Sequence, residues 1–231
     1  MTPARSHRRS GSVVLLSGGM DSATCLGLAL AVHPPVHALS VAYGQRHARE
    51  LTAAKRLARY YRIRHHAVVT VPIGPWLASS LTDRHAALPT GRRSPSTIPS
   101  TYVPARNTIL LALALGYAES HGLGHIYIGA NAIDYSGYPD CRPEYFRAFT
   151  RLTRVATRRG VEQGESIRVE VPLLRRSKAA IVRLGERLGV PWRLTWSCYR
   201  GGARPCRKCD ACRLRAQGFR AAGVSDPLDP D

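Results

Sequence analysis

The stretch Ser17-Gly18-Gly19-Met20-Asp21-Ser22 decides the fold of the surrounding chain. It follows the apolar run Val13-Val14-Leu15-Leu16 and precedes a segment that we predict to be helical from Ala23 to Val32. A strand, a glycine-rich turn and a helix start form an anion site in this order, because unpaired backbone N–H groups converge there. The spacing differs from the Walker and dinucleotide-binding glycine patterns. The simpler alternative is a strand-to-helix turn with Ser22 as the helix cap.

Strands alternate with helices along the rest of the chain. We predict strands at 12–16, 36–43, 65–71, 125–130 and 166–171, separated by amphipathic or apolar helices. This rhythm predicts an α/β fold with a doubly wound, mainly parallel five-stranded sheet. In such sheets ligands bind beyond the carboxyl ends of the strands, where the phosphate loop and the turn from Tyr43 to Arg46 are expected to lie.

The 231 residues, of which 44% are hydrophobic, suffice for one large domain with a small appendage. We expect residues 1–11 to be a disordered basic tail, 12–190 to be a nucleotide-binding domain, and 191–231 to be a four-cysteine module with a C-terminal tail. Residues 72–102 have no clear periodicity and contain several prolines. A stretch of this kind is a lid or a disordered linker, and we favour the lid.

The formal charge of +19 invites a nucleic-acid interpretation. However, basic residues accompany nearly every predicted helix and no Arg/Lys run is interleaved with aromatic residues, so we expect nucleic-acid binding to be at most non-specific. No apolar run approaches the roughly 20 residues that span a bilayer. The basic start precedes only four strongly apolar residues, which disfavours a secretory signal. A soluble cytoplasmic protein is the expectation.

Two cations stand where a helix dipole disfavours them. Arg106 precedes a helix predicted over 108–120, and Lys178 follows Ser177, the predicted N-cap of another helix. We therefore expect each cation to have an anionic partner. Asn107 has two interpretations, as a site residue or simply as the N-cap of its helix.

The loop after the fourth strand is rich in polar groups, from Asn131 to Arg142. Loops held by a rigid sheet often carry specificity, although a turn with buried tyrosines is the alternative. Cys141 in this loop is a conceivable nucleophile, but the sequence identifies no base for it.

Four cysteines crowd into the C-terminal segment: Cys198, Cys206, Cys209 and Cys212. In a cytosolic chain the spacing C-x7-C-x2-C-x2-C indicates metal ligation rather than disulfides. Four thiolates satisfy tetrahedral Zn2+ and leave no open position, so we predict a structural zinc ion. An iron–sulfur cluster and free or disulfide-linked cysteines are the alternatives.

Several stretches together resemble the QueC family of 7-cyano-7-deazaguanine synthases, which are PP-loop ATP pyrophosphatases. They are Ser17 to Ser22, Tyr43 to His47 with Glu50-Leu51, Val103 to Asn107, Asp134 to Arg142, Ser177-Lys178, and Thr195 to Arg213 with Asp226-Pro227. The resemblance covers nearly the whole chain after residue 12. It implies conversion of 7-carboxy-7-deazaguanine, ATP and ammonia into 7-cyano-7-deazaguanine, with structural zinc, Mg2+ and a homodimer.

The resemblance also implies site residues. Lys178 and Arg106 are the catalytic candidates. The ATP-binding candidates are Leu15, Leu16, Ser17, Gly18, Gly19, Met20, Asp21, Ser22, Ala23, Thr24 and Cys25. The substrate-binding candidates are Tyr43, Gln45, Arg46, Asn107, Asp134, Tyr138 and Asp140, with Asp134 and Asp140 expected to contact the base edge.

The chain departs from the family pattern at Ala23, where threonine is usual, and at Arg207, where glycine is usual. The spacing between its first and second C-terminal cysteines is also short. Two other classes compete with the synthase: a PP-loop tRNA thiolase or lysidine synthetase, and a non-enzymatic zinc protein that binds nucleic acid. The first typically needs a tRNA-binding domain or a catalytic cysteine pair, whereas we expect only a helix and the cysteine segment after the fifth strand. The second leaves the phosphate loop and the loop from Asp134 to Arg142 without a purpose.

Overall fold

The computed structural model describes residues 10–45, 49–77, 79–83, 85–87, 98–131 and 137–229. Within them, helices cover both faces of a parallel sheet. The strands are β1 Ser12–Leu15, β2 Val36–Ala42, β3 His66–Thr70, β4 His125–Tyr127 and β5 Arg168–Glu170. The α-helices are α1 Met20–Val32, α2 Arg49–Tyr60, α3 Arg106–Ser120, α4 Pro143–Ala156, α5 Arg158–Gln163, α6 Lys178–Arg187 and α7 Asp210–Ala222.

The sheet has the strand order β3-β2-β1-β4-β5, and every neighbouring pair is parallel. The chain builds outward from β1 through β2 to β3 and then crosses to β4 on the other side. The order therefore reverses between β1 and β4, which is where open α/β sheets bind ligands. The predicted doubly wound five-stranded sheet is confirmed.

The central strand is buried on both faces. Val14 and Leu16 pack into one hydrophobic cluster, which α1, α2, α6 and α7 cover. Val13 and Leu15 pack into the opposite cluster, beneath α3 and α4. A strand enclosed in this way is apolar along its whole length, which explains the run that precedes the phosphate loop.

Several element boundaries differ from the prediction. β4 and β5 are shorter than expected, with three residues each. α3 begins at Arg106 rather than Thr108, and its N-cap is Ala105 in the left-handed conformation, with φ 51°. The amphipathic pattern of residues 143–159 predicts a single helix. In the structure this segment is divided at Thr157, whose hydroxyl accepts a hydrogen bond from the Gly160 N–H and so starts α5.

The C-terminal segment is packed onto the sheet domain. Phe219 of α7 is buried in the same cluster as β1 and α1. The Trp196 N–H donates a 2.8 Å hydrogen bond to the Gly18 carbonyl in the phosphate loop. Gly218 lies so close to α6 that a Cβ there would be 2.8 Å from the Cβ of Lys178.

The predicted lid is described only in part, since 78, 84 and 88–97 lie outside the described residues. Its two ends meet, because the Ser80 N–H donates to the Ser100 carbonyl at 2.9 Å. Thr101 and Tyr138 hydroxyls are 2.7 Å apart. The basic tail at 1–9 is likewise outside these residues. In the described part of the chain no helix has the length and hydropathy to cross a bilayer.

Histidines gather around the amino-terminal edge of the sheet. The rings of His33 and His125 stack with centroids 3.5 Å apart, and those of His37 and His65 stack at 4.4 Å. Burial and the neighbouring His125 lower the pKa of His33 below 6.5. Burial, His65 and His121 lower the pKa of His37 in the same way.

We predict that acid destabilises the fold through these histidines. The pKa of these two histidines is lower in the folded protein than the value of about 6.5 expected in the unfolded chain. As the pH falls toward that value, the unfolded chain therefore binds more protons than the folded protein. The stabilisation is present above about pH 6.5 and declines as the pH falls toward the lower folded values. Urea midpoints at about pH 7.5 and pH 5.5 would measure it. The urea midpoint of the H33Q/H37Q double variant should change less with pH than that of the wild-type protein. An equal change in the two proteins would contradict the prediction.

Candidate active site

A cavity of about 290 Å³ lies beyond the carboxyl ends of the strands, where β1 and β4 diverge. The phosphate loop forms its floor, and the ends of β2 and β4, the starts of α2, α3 and α6, and the segment around Trp196 form its walls. Elements distant in sequence therefore meet at the edge of the sheet that the alternation of strands and helices predicts.

The start of α1 leaves backbone donors available, although the Gly19 N–H makes a long hydrogen bond of 3.4 Å to the Ser17 hydroxyl. α1 begins at Met20 with Gly19 as N-cap, and no side chain caps it. Ser22 is therefore not the cap that the simpler interpretation expected: its hydroxyl donates to the Gly19 carbonyl at 3.1 Å and accepts from the Ser17 hydroxyl at 3.1 Å. Uncapped N–H groups at a helix start are suited to phosphate oxygens.

Gly18 allows α2 to approach this loop. Its φ is 85°, a left-handed value that favours glycine, and a Cβ there would lie 2.3 Å from the Glu50 carbonyl oxygen. The first turn of α2 thus packs directly on the phosphate loop.

Asp21 joins three segments of the site. Its Oδ2 accepts hydrogen bonds from the Lys178 ammonium at 2.6 Å and from the Asn131 amide at 3.1 Å. Its Oδ1 is buried and has no hydrogen-bond partner among the described residues. The carboxylate therefore supplies the anionic partner predicted for Lys178 and keeps a further acceptor atom unused.

Lys178 reaches Asp21 because it opens α6. The predicted N-cap Ser177 is confirmed, since its hydroxyl accepts a hydrogen bond from the Ala180 N–H at 3.3 Å. The close contact at Gly218 places α7 against the backbone and Cβ of Lys178. The lysine is thus fixed from both sides.

Arg106 opens α3 at the opposite wall. Its guanidinium lies 5.9 Å from the centroid of the Tyr43 ring. Within the described residues no carboxylate is at ion-pair distance from it, so the anion predicted for Arg106 is not supplied by this part of the chain. Glu50 lies on the same side of the cavity, and burial raises its pKa to about 7 even though Arg106 acts in the opposite direction.

Asn107 and Asp140 fasten α3 to the loop before α4. The Asn107 N–H donates to Asp140 Oδ2 at 2.9 Å, and its amide donates to the Asp140 carbonyl at 3.0 Å and to Cys141 Sγ at 3.1 Å. Because Ala105 is the N-cap, the interpretation of Asn107 as N-cap is wrong. Asp140 does not line the cavity, and its carboxylate holds the start of α3; its predicted contact with the base stays a prediction.

Most predicted site residues come together. Those that line the cavity are Leu15, Leu16, Ser17, Gly19, Met20, Asp21, Ser22, Tyr43, Gln45, Arg106, Asn107, Tyr138 and Lys178. Ala23, Thr24 and Cys25 are fully buried in α1 and do not line it. Gly18 belongs to the loop but does not line the cavity. Arg46 and Asp134 fall outside the described residues. The individual roles of all these residues stay predictions.

Sequence reasoning missed four residues of the site. Glu50, Trp196 and Tyr199 line the cavity, and Asn131 holds Asp21. Glu50 and Asn131 each follow the carboxyl end of a predicted parallel strand, which is a signal that sequence carries. Nothing in the sequence indicates that the cysteine segment folds back over the phosphate loop.

The four cysteines form a compact cluster. Cys209 and Cys212 Sγ are 3.6 Å apart, Cys206 and Cys212 Sγ are 4.0 Å apart, and all four sulfurs lie within 4.8 Å of one another. Tetrahedral Zn2+ with bonds of about 2.3 Å places its sulfurs about 3.8 Å apart. Backbone N–H groups of Arg200 and Cys206 point to Cys198 Sγ, as thiolate ligands favour. This cluster could therefore hold a zinc ion.

Comparison with known proteins gives a consistent result. A family model described as queuosine biosynthesis protein QueC matches residues 11–223. A 7-cyano-7-deazaguanine synthase of Anaeromyxobacter dehalogenans is 55% identical over 98% of both chains. One of Thermoplasma acidophilum is 50% identical, over 96% of this chain and 92% of that protein.

Among solved structures, NMN synthetase from Francisella tularensis aligns with a TM-score of 0.51. The two share 16% identity, over 94% of this chain and 78% of that one. At this identity the similarity is one of fold alone.

Arg207, between two of the cysteines, has a left-handed backbone with φ 59°. This conformation costs a non-glycine residue roughly 1–2 kcal/mol. It explains why glycine is usual here in the family that the sequence resembles. The Arg207 side chain is 64% exposed and pairs with Asp229 at 2.5 Å, a contact of little expected value in water.

We predict that R207G is more stable than R207A by about 1 kcal/mol. Both variants lose the contact with Asp229, so their difference isolates the backbone strain. Thermal unfolding of the metal-loaded proteins should separate their midpoints by about 2–4 °C. Equal midpoints would show that the turn at residue 207 is not strained.

Proposed function

This chain belongs to the family of queuosine biosynthesis protein QueC, and we propose that it is the ATP-dependent ligase that makes 7-cyano-7-deazaguanine from 7-carboxy-7-deazaguanine and ammonia. The observation that carries this proposal is the 55% identity to a 7-cyano-7-deazaguanine synthase along 98% of both chains. The site supports it, because a phosphate loop, two cations and a carboxylate share one cavity.

The chemistry needs the carboxylate to be activated twice. A carboxylate is a poor acceptor for ammonia until one of its oxygens becomes a leaving group, and transfer of AMP from ATP provides one. Attack by ammonia then gives the amide and releases AMP. A second transfer of AMP, to the amide oxygen, makes that oxygen leave as well, and the nitrile remains.

We assign the loop from Ser17 to Ser22 to the β- and γ-phosphates, which leave as pyrophosphate. Its uncapped helix start offers N–H donors and the positive end of the α1 dipole. Arg106, which has no carboxylate partner among the described residues, is suited to the substrate carboxylate or the α-phosphate. Lys178 would neutralise charge that develops near Asp21, to which it is already bound.

The residues present also fit Mg2+. Asp21 Oδ1 is buried without a partner among the described residues, beside the loop that we assign to phosphates. Mg2+ is usually bound by one or two carboxylates together with substrate phosphates. Asp21 would hold it, and the ion would offset charge on the leaving pyrophosphate.

The other partners remain proposals. We assign recognition of the base to Asp134, with Tyr43, Gln45, Arg46 and Tyr138 as further contacts. Asp140 positions Asn107, and its contact with the base stays a prediction. The homodimer, the cytoplasmic location, the disordered tail and the lid stay predictions. A PP-loop tRNA-modifying enzyme and a nucleic-acid-binding zinc protein are not favoured by the similarity to synthases.

We propose that the four-cysteine cluster binds one structural zinc ion. Purified protein should contain about one zinc per chain, and C209S should lose both the metal and much of the stability, because a buried ligand is removed. C25S, which changes a buried cysteine outside the cluster, should keep its zinc. Iron with visible absorption would overturn the assignment.

The activity test is mass spectrometry of products formed with ATP, Mg2+, ammonium and 7-carboxy-7-deazaguanine. We expect the nitrile, with the amide as intermediate. K178A should lower turnover by at least about tenfold, because the developing charge loses its cation and the Asp21 carboxylate loses its partner. K55A, which removes an exposed lysine on α2, is the matched control. Neither product from the wild-type protein would refute the proposed function, and full activity of K178A would refute the role of Lys178.

A further inference from the structure

The proposed synthase reaction must remove every proton from the nitrogen that becomes the nitrile, and this inference rests on that proposed function. The nitrile nitrogen carries no hydrogen, so all four hydrogens of ammonium must leave as protons. Ammonium loses two of them when it becomes the amide: one to form ammonia and one after the attack on the activated carboxyl carbon. The amide loses the remaining two as its C–O bond to AMP breaks and the C≡N bond forms. A group in the cavity must accept these protons.

Few side chains of the cavity can act as such a base. Among the described residues that line it, Asp21 and Glu50 are the carboxylates, and no histidine is present. Asp21 is engaged with Lys178 and Asn131. Lys178 and Arg106 are cations without a lone pair to offer. Glu50 is half-buried, and its carboxylate has no hydrogen bond within the described part of the chain.

We propose that Glu50 is the proton acceptor for the nitrogen during both the amide-forming and the nitrile-forming steps. Its position follows from the fold. The close approach of α2 at Gly18 fixes the backbone of Glu50 against the phosphate loop. Arg106, the cation that we assign to the substrate carboxylate, lies at the start of α3 and lowers the pKa of the Glu50 carboxyl group. Glu50 therefore lines the same cavity as the loop that we assign to pyrophosphate and the cation that we assign to the substrate carboxylate.

The groups that face Glu50 allow it to exchange protons. Among the described residues, Arg106 lowers the pKa of the Glu50 carboxyl group. Glu50 in turn adds to the rise that burial causes in the pKa of the Tyr43 hydroxyl. Arg49, its neighbour in sequence, instead lies over the Trp196 ring at 5.1 Å. Lys178 is held by Asp21. Among the described residues, Glu50 is thus influenced by one cation and makes no ion pair.

In each proton transfer a lone pair of the Glu50 carboxylate takes one proton from an N–H bond, and the electrons of that bond stay on nitrogen. In the first round they restore the lone pair of the amide. In the second round two protons leave in succession: the electrons of one N–H bond become the lone pair of the nitrile nitrogen, and those of the other complete the C≡N bond while the C–O bond electrons leave with AMP. Glu50 returns its proton to solvent between transfers, so it is unchanged after each cycle.

The acidity of Glu50 suits this task. Burial raises its pKa to about 7, with Arg106 opposing the rise. A base whose pKa lies near the working pH combines a useful deprotonated fraction with a useful driving force for proton transfer. Activity that depends on deprotonated Glu50 must therefore decline as the pH falls through about 7.

The test separates activation from proton transfer. Adenylation is measured without ammonium. The assay is the exchange of labelled pyrophosphate into ATP, and this exchange requires 7-carboxy-7-deazaguanine. Nitrile formation is followed from the amide and ATP, which removes the ionisation of ammonium from the pH profile. We expect E50Q to keep the exchange within about threefold and to lose about 100-fold or more in nitrile formation. The E162Q variant removes an exposed glutamate on α5 and should behave as wild type.

Two further readouts distinguish a base from a structural residue. The wild-type rate should fall below about pH 7, whereas E50Q should lack this limb of the profile. E50D should recover part of the rate, and formate should partly restore E50A, because a small carboxylate can occupy the vacated volume. If formate restores nitrile formation by E50A without increasing the pyrophosphate exchange, the result would support a role of Glu50 in proton transfer.

The proposal is overturned if E50Q forms nitrile at the wild-type rate with the wild-type pH profile. It is also overturned if the exchange falls as far as nitrile formation, since Glu50 would then bind substrate rather than accept protons. Wild-type protein that makes neither amide nor nitrile refutes the proposed function itself, and does so before any Glu50 variant is compared.

Discussion

The carboxylate of Asp21 is the constraint on which the site depends. It lies at the carboxyl edge of a buried sheet, with its side chain only 20% exposed, where an unpaired anion is unfavourable. Lys178 and Asn131 neutralise and hydrogen-bond it, and they come from α6 and the end of β4. Removing one partner of a fully buried pair costs about 3–5 kcal/mol, and less here because water reaches both groups. The anion therefore fixes three loops relative to one another.

This requirement extends to the cysteine segment. Lys178 can meet Asp21 only if α6 is held in place, and α7 holds it through the close contact at Gly218. The same segment reaches the phosphate loop directly, where the Trp196 N–H binds the Gly18 carbonyl. A metal that orders the residues between these two contacts would act on the loop and on the lysine together. The closed, four-thiolate cluster is then part of the architecture of the site although it offers no position to a substrate.

The sequence was sufficient for the parallel sheet, because β1 is apolar from Val13 onward and polar loops follow the strands. It also placed Lys178 after its cap, since Ser177 has the side chain and spacing of an N-cap. It failed at Asn107, where helix propensity gives no sign that Ala105 adopts a left-handed conformation and starts α3 two residues early. The division at Thr157 was missed for a similar reason, since a threonine hydroxyl can either stay within a helix or begin a new one. Such choices depend on tertiary contacts.

The positions of Arg106 and Glu50 follow from those same contacts. The left-handed Ala105 sets where α3 begins, and Gly18 sets how closely α2 approaches the phosphate loop. Two opposite charges in one cavity would gain most by pairing with each other, and a direct pair would leave both unavailable to a ligand. Backbone conformations that ordinary residues adopt reluctantly set the position of each residue, and no ion pair joins the two within the described residues. An arrangement of this kind is consistent with a site in which the cation meets a carboxylate substrate while the carboxylate remains able to take a proton.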